Sequence, residues 1–290
     1  MVHIRKERPK DIGRACRVMS TSRSSMNYRS VLNDQPLEEK LQKLAQEHPQ
    51  EGFWKYFFRL RNTGEEANHK RVYRVYRKMG LPMRRKTKKR LPKREKAPLA
   101  VPPTFTHTWS IDFMSDALVN GKKFRTFNII DDFNREVLFV EIDYSLKSNR
   151  VIWVLNHLIK RYGKPAKIRM DNGPEFVATI SQKWSEGQHI DFQYIQPGKP
   201  MQNGYVERFN GVYRKGVLDA YAFSSLDEVR AITEQWMYDY NYVRPHESLG
   251  NMSPVQYRQK AEEKCTPSKG LRSAPATPPL HSAPLRNIGV

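Results

Sequence analysis

The sequence predicts an α/β protein in which a mixed five-stranded sheet, flanked by helices, follows a small all-α region of helix-turn-helix type. Two observations favour this class. From residue 104 onward, short apolar strands come first and then alternate with amphipathic helices. Before that residue, apolar side chains recur only at helical spacing and the charge is strongly basic. The 290 residues are enough for one sizeable domain and a smaller one.

Helical periodicity marks the N-terminal part of the chain. We expect short helical pieces over residues 1–36 and a helix-turn-helix-like DNA-binding region over residues 37–82. The last helix of this region is predicted to begin after the capping residue Asn68 and to end at Gly80. Its cations lie mostly off the apolar stripe, which is typical of a DNA reader or, alternatively, of an ordinary solvated helix: Lys70, Arg71, Arg74, Arg77 and Lys78.

The net charge of +21 is concentrated in the first third of the chain. Residues 1–103 contain 27 Lys and Arg against 10 Asp and Glu, whereas residues 104–290 contain 24 against 20. Residues 83–103 are predicted to form a basic, proline-containing linker that stays extended because its like charges repel. Such a segment can bind DNA phosphates without sequence preference. The linker cations expected to contact DNA are Arg84, Arg85, Lys86, Lys88, Lys89 and Arg90.

Strand and helix patterns define the rest of the chain. Three strands, joined by turns at 120–121 and 134–135 into an antiparallel meander, are predicted over residues 106–113, 123–131 and 137–144. Two more strands follow at 167–170 and 191–195, with helices over 149–162, 180–186, 202–221 and 226–242. This order matches the mixed sheet of an RNase H-like fold. We therefore expect an RNase H-like catalytic core at 104–222, a C-terminal helical extension at 223–260 and a disordered tail at 261–290.

Three acidic residues are candidates for catalysis. Asp112 lies inside the first strand, where apolar neighbours make an unpaired carboxylate costly. Asp171 follows the fourth strand, and Glu207 lies on the helix that begins near residue 202. Since the first and fourth strands of an RNase H-like sheet are neighbours, the three carboxylates would converge. Such a cluster binds Mg²⁺ or Mn²⁺, and two ions can promote phosphodiester cleavage. Any one of these acids, taken alone, is more typical of a surface carboxylate.

The motifs around these acids resemble those of insertion-sequence transposases of the OrfB type, relatives of retroviral integrases with a D-D-E core. Asp171 and Glu207 are separated by 35 residues, which is the family's spacing, and the basic Arg214 stands seven positions after Glu207. Further matching motifs lie at 171–176, 197–204 and 240–246. The resemblance extends over residues 37–257.

The resemblance implies a set of roles and partners. Asp112, Asp171 and Glu207 would be catalytic metal ligands for two Mg²⁺ or Mn²⁺ ions, and Arg214 and Lys215 would contact DNA. Cleavage would expose a 3′-OH that attacks another phosphodiester, in a homo-oligomer assembled on DNA. An upstream-frame protein with a helix-turn-helix and leucine zipper is a possible partner, because no heptad zipper is visible here. Supporting residues, with loop or cap chemistry as the alternative, would be Asn172, Gln202 and Asn203.

Two other function classes stay open at this point: a non-catalytic DNA-binding regulator, and an RNase H-like nuclease acting on RNA–DNA hybrids. No apolar run approaches the ~20 residues of a membrane span, and no secretory signal is visible. We therefore expect a bacterial, cytoplasmic, nucleoid-associated protein with no membrane contact. Cys16 and Cys265 show no zinc-binding spacing and are expected to be reduced thiols.

Overall fold

The computed structural model of the chain describes residues 12–22, 24, 33–82, 101–196 and 200–265. The side chain of Asn68 accepts a hydrogen bond of 3.0 Å from the Lys70 N–H, so the predicted helix cap is confirmed. The second helical piece of the N-terminal segment, expected over residues 24–31, lies outside the described residues except for Ser24, and so do the linker cations and the tail from residue 266. Within the described residues, four helices precede the sheet: α1 (Ile12–Val18), α2 (Gln35–Glu47), α3 (Phe53–Asn62) and α4 (His69–Lys78).

Helices α2, α3 and α4 form a three-helix unit with a core of its own. Leu41 and Val72 are fully buried in it, and Tyr56 and Tyr76 pack in an edge-to-face pair with ring centroids 6.0 Å apart. Burial of these aromatic side chains supplies the main driving force for folding of so small a unit.

The sheet is mixed and has the order β3-β2-β1-β4-β5. The first three strands are antiparallel neighbours, whereas β4 runs parallel to both β1 and β5. The predicted meander and five-stranded sheet are therefore confirmed. The strands are β1 (Thr108–Ala117), β2 (Lys123–Asp131), β3 (Val137–Asp143), β4 (Lys167–Met170) and β5 (Asp191–Tyr194).

Helices cover both faces of the sheet. One face packs against α5 (Ser148–Tyr162), α6 (Pro174–Val177) and α7 (Thr179–Gln188), and the other against α8 (Gly204–Tyr213) and α9 (Leu226–Tyr238). Alternate residues of β1 face opposite layers, as strand geometry requires. Trp109 and Ile111 are buried on the α5 side, while Met114 packs on the α8 side. Asp112, two residues before Met114, therefore faces α8.

The helix predicted over residues 202–221 is present, but it is α-helical only from Gly204 to Tyr213 and ends at Leu218. A 3₁₀ turn, Pro200–Asn203, precedes α8, and a π-helical segment, Arg214–Leu218, follows it. Helix α9 likewise passes into a π-helical segment, Asp239–Val243. Gly216 lies against the indole of Trp236, since a Cβ added to it would be 2.5 Å from the indole Nε1. This close packing accompanies the wider turns of the π-helical segment. The periodic pattern of apolar residues in the sequence does not show where such a segment lies.

Other boundaries also differ from expectation: the first strand, for example, ends at Ala117 rather than at residue 113. Two further differences have an evident cause. The first strand begins at Thr108 rather than at residue 106, because Thr106 has a φ of 63°, outside the strand region. The tail predicted to be disordered from residue 261 begins too early, because α10 (Pro254–Cys265) includes residues 261–265. Helix α10 is anchored by Arg258, which pairs with Glu136 at 3.5 Å and stacks on the Phe105 ring.

A buried ion-pair network joins the three-helix unit to the C-terminal extension of the core. The Arg59 guanidinium on α3 is 1% exposed and donates to Glu51 at 2.7 Å and to Asp239 at 2.6 and 2.7 Å. Glu51 also pairs with Arg244 at 2.7 Å. Because Asp239 and Arg244 belong to the core extension, these bonds hold the two parts of the molecule together. Among the described helices, none combines the length and the apolar character needed to cross a membrane.

Candidate active site

Strand pairing brings the first two predicted acids together. In the parallel pairing of β1 with β4, Ser110 lies opposite Arg169. Continuing this register by two residues places Asp112 opposite Asp171, which directly follows β4. Glu207 projects from α8, the helix that packs over the Asp112 side of β1. Asp112 and Asp171 therefore lie side by side at the end of β4, and Glu207 is near enough for its charge to act on Asp112.

Asp112 is held by hydrogen bonds from two sides. Its Oδ1 accepts the Phe113 N–H at 2.8 Å, and its Oδ2 accepts the Asn210 side-chain amide at 2.7 Å. The Asn210 Oδ1 in turn accepts the Asn128 side-chain amide of β2 at 2.7 Å. This Asn128–Asn210–Asp112 chain orients the carboxylate, and sequence reasoning assigned no role to either asparagine. The available signal was spacing, since Asn210 stands about one helical turn after Glu207.

The electrostatics of Asp112 reflect its surroundings. Burial, together with the charges of Asp171 and Glu207, raises the pKa of Asp112 to about 6, against the opposing hydrogen bonds of Phe113 N–H and Asn210. Partial burial also raises the pKa of the Glu207 carboxyl. Mutual repulsion of this kind is what a cation placed among the carboxylates would relieve.

The loop after β4 is tightly folded around Asp171. Its Oδ1 accepts the Gly173 N–H at 3.0 Å. A Cβ added to Gly173 would lie 3.0 Å from that same oxygen and 3.3 Å from Glu175 Oε2, so a larger residue would push against both carboxylates. Glu175 is itself bound by the Arg125 guanidinium, which stacks over the Phe113 ring at 4.3 Å. Arg125 and Glu175 were not identified from the sequence, although they fix the backbone beside Asp171.

The three predicted supporting residues bind backbone around the site. Asn203 is buried and donates to the Ile111 carbonyl at 3.3 Å, next to Asp112. Asn172 donates to the carbonyl of residue 195 at 3.1 Å, and Gln202 accepts the N–H of residue 196 at 2.8 Å. These contacts tie α8, β1 and the end of β5 together.

The donor set suits a hard divalent ion, because it consists of carboxylate oxygens. Within the part of the chain that the structure describes, no three His, Cys, Asp or Glu side chains are grouped so that they could hold a metal ion. Glu207 is exposed, and its side-chain rotamers control how closely its carboxylate approaches the two aspartates. The residues therefore fit a metal site by chemistry, with Glu207 as the adjustable member.

The predicted DNA-contacting residues that the structure describes fall into two groups, those bound within the chain and those exposed on its surface. Some are engaged within the chain: Arg214 donates to the Ser115 carbonyl at 3.0 Å and pairs with Asp116 at 3.4 Å. Of the α4 cations, Arg71 and Arg74 bind Asp34, and Lys78 binds Glu38 at 2.8 Å. Others are exposed on the surface: Lys70, Arg77 and Lys215.

The mixed sheet with helices on both faces defines the class, an RNase H-like integrase core. Two models described as "Integrase core domain" match residues 105–200 and 188–254, and one described as "HTH-like domain" matches residues 32–90. The helix-turn-helix region and the core predicted from the sequence are thus confirmed.

Relatives identify the family. The insertion element IS407 31.7 kDa protein of Burkholderia multivorans is 35% identical over 249 residues, covering 85% of this chain and 90% of the relative. The insertion element IS476 39.2 kDa protein of Xanthomonas euvesicatoria is 34% identical, covering 84% and 71%. A protein named as transposase InsK for insertion sequence element IS150 of Escherichia coli is 24% identical, covering 72% and 77%. The chain belongs to the insertion-sequence transposases of the OrfB type.

Proposed function

We propose that this transposase cuts DNA strands at the ends of its insertion sequence and joins the resulting 3′ ends to new DNA, using Asp112, Asp171 and Glu207 as ligands of one or two Mg²⁺ or Mn²⁺ ions. The observation that carries the proposal is the register of β1 against β4, which puts Asp112 beside Asp171, together with the position of Glu207 on α8 over the same side of β1. In cleavage, a water oxygen attacks the phosphorus and the 3′ oxygen leaves. In transfer, that 3′-OH attacks the phosphorus of a second phosphodiester. The 3′ oxygen of this second phosphodiester is then the leaving group.

The chain's own residues would orient the reacting strand. When bound, the ions supply stabilisation of charge on the attacking and leaving oxygens. Asn210 and the Phe113 N–H each bind one oxygen of Asp112, so the orientation of the carboxylate is fixed from two sides. Asn128 holds Asn210 from behind, so the orientation of Asp112 depends on a buried amide chain.

DNA is the proposed substrate of both parts of the chain. We propose that Lys70 and Arg77 of α4, which are exposed, contact a duplex directly. Arg71, Arg74 and Lys78 first have to exchange their bonds to Asp34 and Glu38 for bonds to phosphates. We further propose, with the sequence as support, that the chain assembles as a homo-oligomer on DNA and that an upstream-frame protein assists end recognition.

The test is strand cleavage and transfer on duplexes bearing the terminal sequences that flank the gene, with Mg²⁺ or Mn²⁺ and with an RNA–DNA hybrid as the second substrate. We expect Glu207→Gln to abolish cleavage of the terminal duplexes without weakening their binding. The matched control is Glu186→Gln, which changes an exposed glutamate of α7 on the other side of the sheet. Full cleavage by Glu207→Gln would refute the carboxylate mechanism, and preferential cleavage of the hybrid would refute the proposed substrate.

A further inference from the structure

A cationic groove of about 470 Å³ lies between α3, α8 and residues 244–248. Its basic side chains come from four distant points in the sequence, so they do not form a run of charges that would be visible in the sequence. They are Lys55 on α3, Arg135 in the β2–β3 turn, Arg208 on α8 and Arg244 after α9.

The positive charge of the groove is only partly balanced by the chain. The nearby carboxylates Glu51 and Asp239 are both bound by the buried Arg59, and Glu51 also by Arg244. Among the lining residues, Glu247 is the one acid, against four cations. Burial lowers the pKa of His246 to about 3, with Arg244 and Lys55 acting in the same direction, so this ring is neutral.

Lys55 is the most constrained of the four cations. Burial lowers its pKa to about 8, with a further contribution from the charge of Arg244. Its ammonium donates to the Pro245 carbonyl at 3.0 Å. An ammonium has three donors, so this one can still bind an anion in the groove while it keeps that carbonyl.

The floor of the groove is aromatic. Phe209 and Tyr240 are buried beneath it, and the Arg135 guanidinium stacks over the Tyr205 ring at 3.5 Å from its centroid. Stacking holds this guanidinium in place with its edge available for a second contact. An apolar floor below fixed cations strengthens their attraction for an anion, because the local dielectric constant is lower than that of water.

Resting on the proposed function, we infer that this groove binds the phosphodiester backbone of DNA between the three-helix unit and α8. One wall is the face of α8 that carries Tyr205, Arg208 and Val212, and the opposite wall is Lys55 of the three-helix unit. Glu207 and Asn210 lie on another face of the same helix, so the groove is separate from the carboxylate site. The shared ligand chemistry is a phosphate anion, and DNA is preferred over free phosphate because the four cations are spread over a groove of about 470 Å³, which is more than one phosphate ion would engage.

The experiment measures binding of the full chain to a duplex by fluorescence anisotropy over a range of NaCl concentrations. Lys55→Gln combined with Arg208→Gln is expected to weaken binding and to reduce the slope of log K against log[salt] by about 0.9 for each phosphate that the variant no longer neutralises. Lys160→Gln is the matched control, because it removes an exposed cation on α5, on the other face of the sheet. Ser248→Glu adds an anion to the groove without removing a cation, and it is expected to weaken binding as well.

Competition by inorganic phosphate, against chloride at equal ionic strength, separates the two sources of phosphate. We expect both salts to act alike. If phosphate displaces the duplex specifically, or if both groove variants keep the slope and affinity of Lys160→Gln, the inference is wrong. A chain that binds no duplex refutes it as well. Failure of the proposed chemistry is distinguishable, because the binding slope is measured without cleavage and Glu207→Gln is expected to leave it unchanged.

Discussion

Replacement of Arg59 by methionine tests whether the ion-pair network is an integral part of the fold. Arg59→Met keeps the length and apolar packing of the side chain but removes the guanidinium that binds Glu51 and Asp239. Glu51 is 6% exposed and its carboxylate cannot regain hydration without local opening. Breaking a buried pair by removing one partner costs about 3–5 kcal/mol of unfolding free energy.

The magnitude is expected in the lower part of that range. Glu51 retains its bond to Arg244, and Asp239 is less buried than Glu51, so both carboxylates are partly compensated in the variant. We therefore expect Arg59→Met to lower the unfolding free energy by about 3 kcal/mol. The unfolding free energy of Arg59→Lys is expected to lie between those of the wild type and Arg59→Met. A lysine keeps the charge but cannot bind two carboxylates in a planar fork.

The assay is urea unfolding followed by tryptophan fluorescence, to which Trp54 contributes from the same helix as Arg59. Arg61→Met on the same helix is the control, since Arg61 is exposed and its main contact is with the Phe57 ring. It is expected to change stability by no more than about 0.5 kcal/mol. A loss below about 1 kcal/mol for Arg59→Met would show that the desolvation cost of the pairs equals their attraction, and the network would then have no net stabilising role.

Three further outcomes are expected. Gly216→Ala places a Cβ 2.5 Å from Trp236 Nε1 and should lower the unfolding free energy by about 1–3 kcal/mol in thermal unfolding. Gly211→Ala is the control, because a Cβ there meets nothing within 4 Å and should not lower it. Equal stabilities of the two variants would contradict the close contact. Burial raises the pKa of Asp131 to about 7, so its contribution to stability is present at low pH and is lost as pH rises from about 4 through 7. Asp131→Asn should therefore gain stability relative to wild type over that interval in urea titrations, and a constant difference would refute the assignment. Asn210→Ala should slow cleavage by ~10–100-fold at fixed Mn²⁺, and wild-type rates would exclude its positioning role.

Much of the fold is predictable from the sequence because local patterns dominate it. Strands β2 and β4 have the predicted bounds, and α4 begins at its predicted cap. The π-helical segments are not predictable in this way, since they depend on tertiary contacts such as Gly216 against Trp236. Helix α10 persists past residue 260 for the same reason, through Arg258 and its partners Glu136 and Phe105.

Only part of the candidate site is predictable from the sequence. Asp112, Asp171 and Glu207 can be recognised because their spacing matches a known family and because the predicted strand order brings the first two together. Asn128 and Asn210 are not, since each is an ordinary polar residue until the fold places one behind the other. The four cations of the groove escape sequence reasoning for the same cause, as residues 55, 135, 208 and 244 share no local pattern.

The unequal lengths of β1 and β4 leave an opening in the strand pairing beside Asp112, because β1 continues where β4 has ended. Strand β1 has ten residues and β4 has four, and at about 3.3 Å per residue β1 extends far beyond its parallel neighbour. Asp112 sits where that neighbour ends, and the next stretch of β1 offers its Ser115 carbonyl to the Arg214 guanidinium. The position of the opening is thus a matter of where one short strand stops. Extending β4 by a few residues would fill the opening with backbone, and insertions in that turn should be far less tolerated than insertions between β1 and β2.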